Sequence, residues 1–467
     1  MSDSVLAAIG NDREAILGRL KALLRIPSVS TDPAYLQHIA AAQTHLAERL
    51  KAAGLGDVRL LDSVGHKPVY AEWLGAPDAP TILVYGHYDV QPPDPLDKWQ
   101  SPPFEPTIRD NRLYARGVSD DKGPLSVALE VICAFLAVEG KLPVNIKLLI
   151  EGEEELGSRN LSAVIAQNSE LLAADFVLSA DGARWRADLP SVNISSRGIA
   201  TLQVTLRTAA KDLHSGRYGG AVANPLNALS RLIASLHDDS GRIAVAGFYD
   251  GVAEPSAAER AAIAALPFDE RAYLVGVGAT ASVGERGYTL LERQWLRPCL
   301  DLNGMWGGYQ GPGGKTVIPC EAHAKLSSRL VAGQDPKKIS AALKQHLTAK
   351  CPQGATVSFA GEGHGSPAYS LPTDHPGLAT VEAVLAELNG RRPVRVRIGA
   401  TLPVSEMFAR ELGIDTVMFS FSTADEDFHA PNEFFRLDGL DQGLAAWTRC
   451  LRKLGTQKRE AYDRFRR

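Results

Sequence analysis

The stretch Thr81-Ile-Leu-Val-Tyr-Gly86 has the continuous apolar character of a strand buried on both faces of a sheet. Two similar runs follow, Asn145-Ile-Lys-Leu-Leu-Ile-Glu151 and Phe176-Val-Leu-Ser179. Helical spacing lies between them, in one segment opened by Pro124 and in another around 159 to 173. Strands that alternate with helices in this way predict an α/β sheet covered by helices.

The pattern changes after Arg197-Gly198 and returns to the α/β type from His375. In between, the apolar spacing predicts strands over 201–207, 322–331 and 356–359 and helices over 224–236 and 336–347. Residues from about 240 to 315 read as a long insertion that ends in a glycine-rich loop. We therefore predict a fold of class α/β, with a mixed sheet covered by helices and interrupted by a smaller α+β domain.

Composition excludes several classes of protein. The chain has 467 residues, of which 45% are hydrophobic and 22% charged, and a formal net charge of -4, so it lacks the basic field that attracts nucleic acid. The first residues lack the pattern of a signal peptide, and no segment has the length of a membrane span. Five scattered cysteines predict reduced thiols. We expect a cytoplasmic protein with no nucleic-acid or membrane partner.

Five scattered residues have the chemistry of metal ligands: His87, Asp120, Glu155, Asp181 and His429. Three of them, His87, Glu155 and Asp181, follow the ends of predicted strands, where α/β folds bind their ligands. Carboxylates mixed with imidazoles suit a pair of zinc-like ions. The pattern predicts one shared site and a two-metal hydrolase.

Each of these residues also has a plain structural interpretation. His87 could belong to a polar turn, Asp120 could cap the following helix, and the acidic run Glu151-Gly-Glu-Glu-Glu155 could be a solvated loop. Consecutive carboxylates after an apolar strand nevertheless repel one another unless cations compensate them. Asp89 could orient the His87 ring, because residues two apart on an extended segment point the same way.

Four motifs together resemble those of the di-zinc metallopeptidase family of aminoacylase, carnosinase and carboxypeptidase G, and most of all its cytosolic dipeptidase branch. The motifs are Gly86-His-Tyr-Asp-Val-Gln-Pro92, Gly117-Val-Ser-Asp-Asp-Lys-Gly123, Glu151-Gly-Glu-Glu-Glu-Leu-Gly-Ser158 and His429-Ala-Pro-Asn432. The resemblance implies a catalytic domain over 1–197 and 375–467, interrupted by a lid/dimerisation domain over 198–374. It also implies a homodimer.

The resemblance implies a role for each candidate ligand. Asp120 would bridge two divalent ions, with His87 and Asp181 on one ion and Glu155 and His429 on the other. The expected metal is zinc, with manganese or cobalt as alternatives.

The resemblance also implies catalytic roles beside the metals. Glu154 would be the general base that acts on a metal-bridging hydroxide, and Asp89 would hold His87.

Further positions resemble the family's substrate-binding residues. His214 is expected to donate to the oxyanion, and Arg329 to bind a substrate carboxylate through its planar fork. Thr316, His364 and Thr401 are expected to contact substrate. From the residues alone, His214 and His364 could be loop histidines, and Arg329 a solvated charge that closes a strand.

The predicted function is hydrolysis of dipeptides or short peptides that end in a free carboxylate. An N-acyl amino acid deacylase or desuccinylase would use the same metals and base. A protein of another class, a non-catalytic metal-binding assembly protein, would have no need for Glu154, an unligated base beside the metals.

Overall fold

The computed structural model describes residues 3–360 and 365–466. The chain divides into two compact units. The first unit comprises Met1–Ile194, Leu371–Val396 and Met407–Arg467, and the second comprises Ser195–Ser370 and Arg397–Glu406. The catalytic and lid/dimerisation roles assigned to the predicted domains stay predictions.

The α-helices are distributed along the whole chain. They are α1 Ser4–Asn11, α2 Arg13–Leu24, α3 Leu36–Ala52, α4 Lys122–Glu139, α5 Leu161–Gln167, α6 Ser169–Leu172, α7 Ser215–Tyr218, α8 Pro225–Ala234, α9 Ala257–Ala264, α10 Glu270–Gly276, α11 Leu290–Leu296, α12 Pro336–Ala349, α13 Pro376–Asn389, α14 Pro403–Glu411 and α15 Leu437–Leu454.

The strands alternate with these helices. They are β1 Gly56–Leu60, β2 Val69–Trp73, β3 Thr81–His87, β4 Thr107–Arg109, β5 Arg112–Tyr114, β6 Asn145–Glu151, β7 Phe176–Ser179, β8 Ser191–Ser196, β9 Gly198–Arg207, β10 Leu213–His214, β11 Cys299–Gly307, β12 Val317–Ile318, β13 Glu321–Leu330, β14 Thr356–Ala360, β15 Gly365–Ser366, β16 Tyr369–Ser370, β17 Val394–Ile398, β18 Thr416–Met418 and β19 Phe434–Arg436.

The first unit is built on a mixed sheet with the strand order β1-β2-β6-β3-β7-β18. Strands β6, β3, β7 and β18 are parallel, whereas β2 pairs antiparallel with β6. Every residue of β3 and β6 is buried, as parallel strands require when helices cover both faces of a sheet. The prediction of a mixed sheet covered by helices is confirmed.

Helix α4 is the central helix of this unit. It begins two residues before Pro124, which occupies the first turn where a missing N–H costs nothing. It ends at Glu139, and the following Gly140 caps it with a φ of 66°, the left-handed conformation that glycine adopts without strain. Its first eleven residues are all buried, and it packs against α1 and α15. The buried start of this helix fixes the loop in front of it, which carries Asp120.

The second unit is built on an antiparallel sheet with the order β11-β13-β9-β14. Burial alternates along β9 and β13, so one face of the sheet forms the core with α8 and α12, and the other face is polar. Interpreting 240–315 as an insertion was partly wrong, because it contains the edge strand β11. Strand β11 is half-exposed and its register shifts between Leu302 and Gly304, so it lacks regular apolar alternation.

Two further predictions concern the oxidation state of the cysteines and the presence of membrane-spanning helices. All five cysteines are free thiols, as their scattered positions predicted. Within the described residues, none of the helices combines the length and the apolar character that crossing a lipid bilayer demands.

Candidate metal centre and active site

The carboxyl ends of the parallel strands of the first unit meet at one edge of its sheet. His87 at the end of β3 pairs in register with Glu151 at the end of β6, and Tyr85 pairs with Ser179 at the end of β7. Glu155 and Asp181 follow β6 and β7 by four and two residues. The predicted convergence of these strand ends therefore occurs.

The structure brings all five predicted ligands together in two overlapping groups. His87, Asp120 and Asp181 form one group, and Asp120, Glu155 and His429 form the other. The side chain of Asp120 belongs to both, since one carboxylate oxygen lies 3.0 Å from His87 Nε2 and the other lies 3.0 Å from His429 Nε2. Nε2 of His429 also lies 3.2 Å from a Glu155 oxygen.

This donor set fits two divalent cations. The donor atoms of each group lie within 4.8 Å of one another. Donors at about 2.0–2.2 Å from one tetrahedral zinc ion would lie about 3.3–3.6 Å apart, so the groups need only small adjustments. Each group offers at least one imidazole and two carboxylates, which are ligands suited to zinc and to manganese.

The electrostatics of the cluster indicate an excess of negative charge. Burial raises the pKa of Asp181 to about 6, and the neighbouring carboxylates of Asp120 and Glu155 add to that rise. Burial also raises the pKa of Glu154 well above its usual value, again with help from nearby carboxylates. The hydrogen bonds that His429 donates to the Asp120 and Glu155 carboxylates raise its pKa to about 10. Bound cations would relieve this crowding.

Asp89 connects His87 to the two glutamates. Nδ1 of His87 lies 3.0 Å from the main-chain oxygen of Asp89 and 3.4 Å from its carboxylate. The Asp89 carboxylate accepts hydrogen bonds from the backbone N–H groups of Glu154 and Glu155, at 3.3 and 3.1 Å. Asp89 therefore fixes the acidic turn relative to the imidazole. Its position two residues after His87 on an extended segment was the signal that singled it out.

Glu433 holds the Asp120 loop and was missed by the sequence analysis. Its buried carboxylate accepts hydrogen bonds from the backbone N–H groups of Gly117, Ser119 and Asp120, at 2.8 to 3.2 Å, and from the Arg116 guanidinium at 2.8 Å. The partners are more than 300 positions apart in sequence, so no local pattern connects them. Its only signal is that it directly follows the His429-Ala-Pro-Asn432 motif.

Two amides position the other end of the cluster. The Gln91 side chain donates to a carboxylate oxygen of Glu155 at 2.8 Å. His429 has a φ of 60°, and the turn that places it there is anchored by Asn432. The side chain of Asn432 accepts from the backbone N–H of Gln100 and donates to the oxygen of Lys98. Gln91 and Asn432 both lie inside the motifs, but nothing in their spacing predicted these contacts.

The second unit carries the predicted substrate-binding residues that the structure describes. His214 and Thr316 are neighbours, because β10 pairs with β12 and the Ser215 N–H donates to the oxygen of Thr316 at 3.0 Å. Nδ1 of His214 accepts from the backbone N–H of Gly216 at 3.0 Å. That contact leaves the proton on Nε2, where an exposed N–H is available to a ligand.

Arg329 and Thr401 are also brought together in this unit. The Arg329 guanidinium donates to the Thr401 hydroxyl at 2.8 Å. His364, the remaining predicted substrate contact, lies outside the described residues.

Comparisons with known proteins agree with the motifs and the fold. The sequence model of peptidase family M20/M25/M40 matches residues 83–453. The chain is similar to the Cys-Gly metallodipeptidase DUG1 of Candida albicans, with 30% identity over 89% of either chain. It is also similar to the beta-Ala-His dipeptidase of Homo sapiens, with 30% identity over 83% of this chain and 78% of the relative.

A solved structure extends the similarity to three dimensions. The M20 family metallo-carboxypeptidase Sso-CP2 from Sulfolobus solfataricus superposes with a TM-score of 0.83 and 31% identity, covering 95% of this chain and 99% of the other.

Proposed function

The chain belongs to peptidase family M20/M25/M40, and from this membership we propose that it is a metal-dependent dipeptidase. Its substrates are dipeptides or short peptides with a free C-terminal carboxylate. Two similar proteins are named dipeptidases and a third is named a carboxypeptidase. The one peptide bond of a dipeptide adjoins its C-terminal residue, which is also the residue that a carboxypeptidase releases.

The observation that carries this proposal is the position of Asp120 between two histidines. A carboxylate whose two oxygens lie 3.0 Å from two different imidazoles, with one further acid on each side, is suited to bridge two cations. His87 and Asp181 would complete one ion's ligands, and Glu155 and His429 the other's. When bound, two such ions would lower the pKa of a water molecule and polarise the scissile carbonyl.

Glu154 is the proposed general base. It belongs to neither ligand group, yet Asp89 holds its backbone beside them and its charge interacts with those of His87, Asp120 and Asp181. A carboxylate so placed can accept a proton from the attacking water and deliver it to the leaving nitrogen. The C–N bond then breaks to give one carboxylate and one amine, without a covalent intermediate.

Substrate recognition is proposed for the second unit. The exposed Nε2–H of His214 would donate to the oxyanion that develops on the scissile carbonyl. Among the described residues, the Arg329 side chain makes one hydrogen bond, to Thr401, and its other donors would bind the terminal carboxylate. Thr316, next to His214, would contact the substrate. The homodimer, the cytoplasmic location and the choice of zinc over manganese or cobalt remain predictions.

The proposal is tested by hydrolysis and metal analysis of the purified chain. Samples loaded with zinc, manganese or cobalt are given alanyl-alanine and its N-acetyl derivative. A dipeptidase cleaves the unblocked dipeptide, whereas cleavage of only the N-acetyl compound would indicate a deacylase. Binding of two metal ions with no hydrolysis of either compound would indicate a non-catalytic protein.

The role of Glu154 is tested by Glu154→Gln, with Glu153→Gln as a matched control. Glu153 is the adjacent carboxylate, and its partner is the Asn160 amide. We expect Glu154→Gln to lower kcat by about 10²- to 10⁴-fold while the metal content stays at the wild-type level. Unchanged hydrolysis in Glu154→Gln would refute its assignment as the base.

A further inference from the structure

Arg197 follows β8 and precedes β9, and among the described residues this buried cation has no acidic side chain within 4.0 Å. Only 7% of its surface is exposed. Its Nε–H donates to the oxygen of Gly399 at 3.1 Å, and one terminal N–H donates to Cys299 Sγ at 3.4 Å. In the described part of the chain, no carboxylate oxygen lies within 4.0 Å of this guanidinium. A carbonyl and a thiol do not neutralise its charge.

Arg197 and Arg329 together hold one loop. The backbone N–H of Arg197 donates to the oxygen of Ala400 at 2.9 Å, its side chain binds Gly399, and Arg329 binds Thr401. Three successive residues of this loop are therefore bonded by two arginines. The loop connects β17 to α14.

The positively charged side chains of Arg197 and Arg329 are close enough to repel each other. Arg329 pairs in register with Cys299 across β13 and β11, and the thiol of Cys299 contacts Arg197. Burial lowers the pKa of Arg197, and the positive charge of Arg329 lowers it further. The exposed carboxylate of Asp301 opposes this effect from beyond 4.0 Å. Arg329 likewise has no carboxylate within 4.0 Å among residues 3–360 and 365–466.

Two adjacent, partly desolvated cations with no carboxylate within 4.0 Å in the described part of the chain stabilise a bound anion. We propose that Arg197 is a positioning residue that makes the enzyme selective for substrates with a free C-terminal carboxylate. It fixes the Gly399–Thr401 loop on which Arg329 rests, and its charge adds to the attraction of Arg329 for the carboxylate. This inference rests on the proposed function, because it takes the peptide carboxylate as the anion.

The experiment compares alanyl-alanine with its C-terminal amide for the wild type, Arg197→Lys and Arg197→Met. We expect KM for the free dipeptide to rise about 10-fold in Arg197→Lys and about 100-fold in Arg197→Met, the range set by the loss of one charge-assisted hydrogen bond. The kcat of both variants should stay within about 3-fold of the wild type, since Arg197 contacts no reacting atom. KM for the amide should stay nearly constant.

Arg297→Lys is the matched control, because Arg297 is a buried arginine of the same unit that does have an acidic partner, Glu285. It should lower the thermal stability and leave the ratio of the two KM values unchanged. If Arg197→Lys instead alters both substrates equally, or lowers kcat rather than raising KM, Arg197 is only structural and the proposal is overturned. If Arg197→Met does not fold, Arg197→Lys decides the question.

A second readout separates this inference from the proposed function. Calorimetry measures binding of alanyl-alanine and its amide to metal-free wild type and Arg197→Lys. A wild type that hydrolyses neither compound overturns the proposed function, while weaker binding of only the free dipeptide to Arg197→Lys still supports the carboxylate subsite. Equal binding of both compounds by both proteins overturns the inference, even if the wild type is an active dipeptidase.

Discussion

The two units carry clusters of opposite residual charge. In the first unit, Asp120, Glu154, Glu155 and Asp181 crowd around two histidines, and burial and mutual repulsion raise the pKa of Asp181 and Glu154. In the second unit, Arg197 and Arg329 lie close together with no carboxylate within 4.0 Å among the described residues. Each cluster would be stabilised by a ligand of the opposite sign. The contrast supports the proposal that the first unit binds cations and carries the chemistry, whereas the second recognises an anion.

The largest effect is expected from Asp120→Asn, which removes the carboxylate shared by the two ligand groups. Activity should fall by about 10⁴-fold or more, the upper range for a single catalytic group, because both ions lose a ligand. Metal analysis should find fewer than two ions per chain. The exposed Asp97→Asn serves as the control. If Asp120→Asn kept both ions, cation binding in the first unit would not depend on this carboxylate.

Glu433→Gln tests whether the cation site depends on its backbone clamp. The change leaves the buried Arg116 without its partner and should cost about 3–5 kcal/mol of unfolding free energy, measured by denaturant titration. Metal affinity should also fall about 10- to 100-fold, because the Asp120 loop loses its anchor. Lower stability with unchanged metal affinity would mean that Glu433 supports only the fold.

Arg329→Ala tests the opposite charge of the second unit. KM for alanyl-alanine should rise about 10²-fold, or about 3 kcal/mol, since a charged partner of the carboxylate is lost. The metal content should not change. Arg231→Ala, an exposed arginine of the same unit, is the control. An equal rise in KM for the amidated dipeptide would show that Arg329 does not select the carboxylate.

The smallest expected effect is on the pH dependence of the free energy of unfolding. It separates loss of stability in the first unit at low pH from protonation of the proposed metal ligands. Burial lowers the pKa of His375 to about 4, below its ordinary 6.5. As the pH falls, His375 therefore takes up a proton at a higher pH in the unfolded chain than in the folded one. The stability contributed by neutral His375 is complete above pH 6.5 and is lost as the pH falls toward 4. The loss between pH 7 and pH 5 should be about 2 kcal/mol.

The measurement is chemical unfolding of the wild type and His375→Asn at pH 7 and pH 5. Asparagine can still accept the N-cap hydrogen bond that His375 accepts from Gly377, but it does not titrate. The variant should therefore lose less stability than the wild type on acidification. Equal losses in the two proteins would assign the acid sensitivity to other groups.

The parts of the fold that were predictable are those with strong local patterns. The apolar runs of β3, β6 and β7 are continuous because both faces of these strands are buried, and the mixed sheet and the family resemblance are confirmed. The edge strand β11 was not predictable, because half-exposed residues and a register shift remove its alternation. The roles of the site residues stay predictions, although the five proposed ligands do converge.

The amino-acid sequence alone is enough to predict the chemistry available to this protein, namely which strands are buried and which carboxylates and imidazoles follow them. It could do so because strand burial and strand ends are local properties, and parallel strands bring their carboxyl ends to one edge. The way in which those groups are held in place and their charges compensated depends on contacts made in the folded protein. Glu433 reaches the Asp120 loop, and Arg197 the loop bound by Arg329, through contacts between segments that are distant in sequence. Such contacts produce no periodic pattern in the sequence.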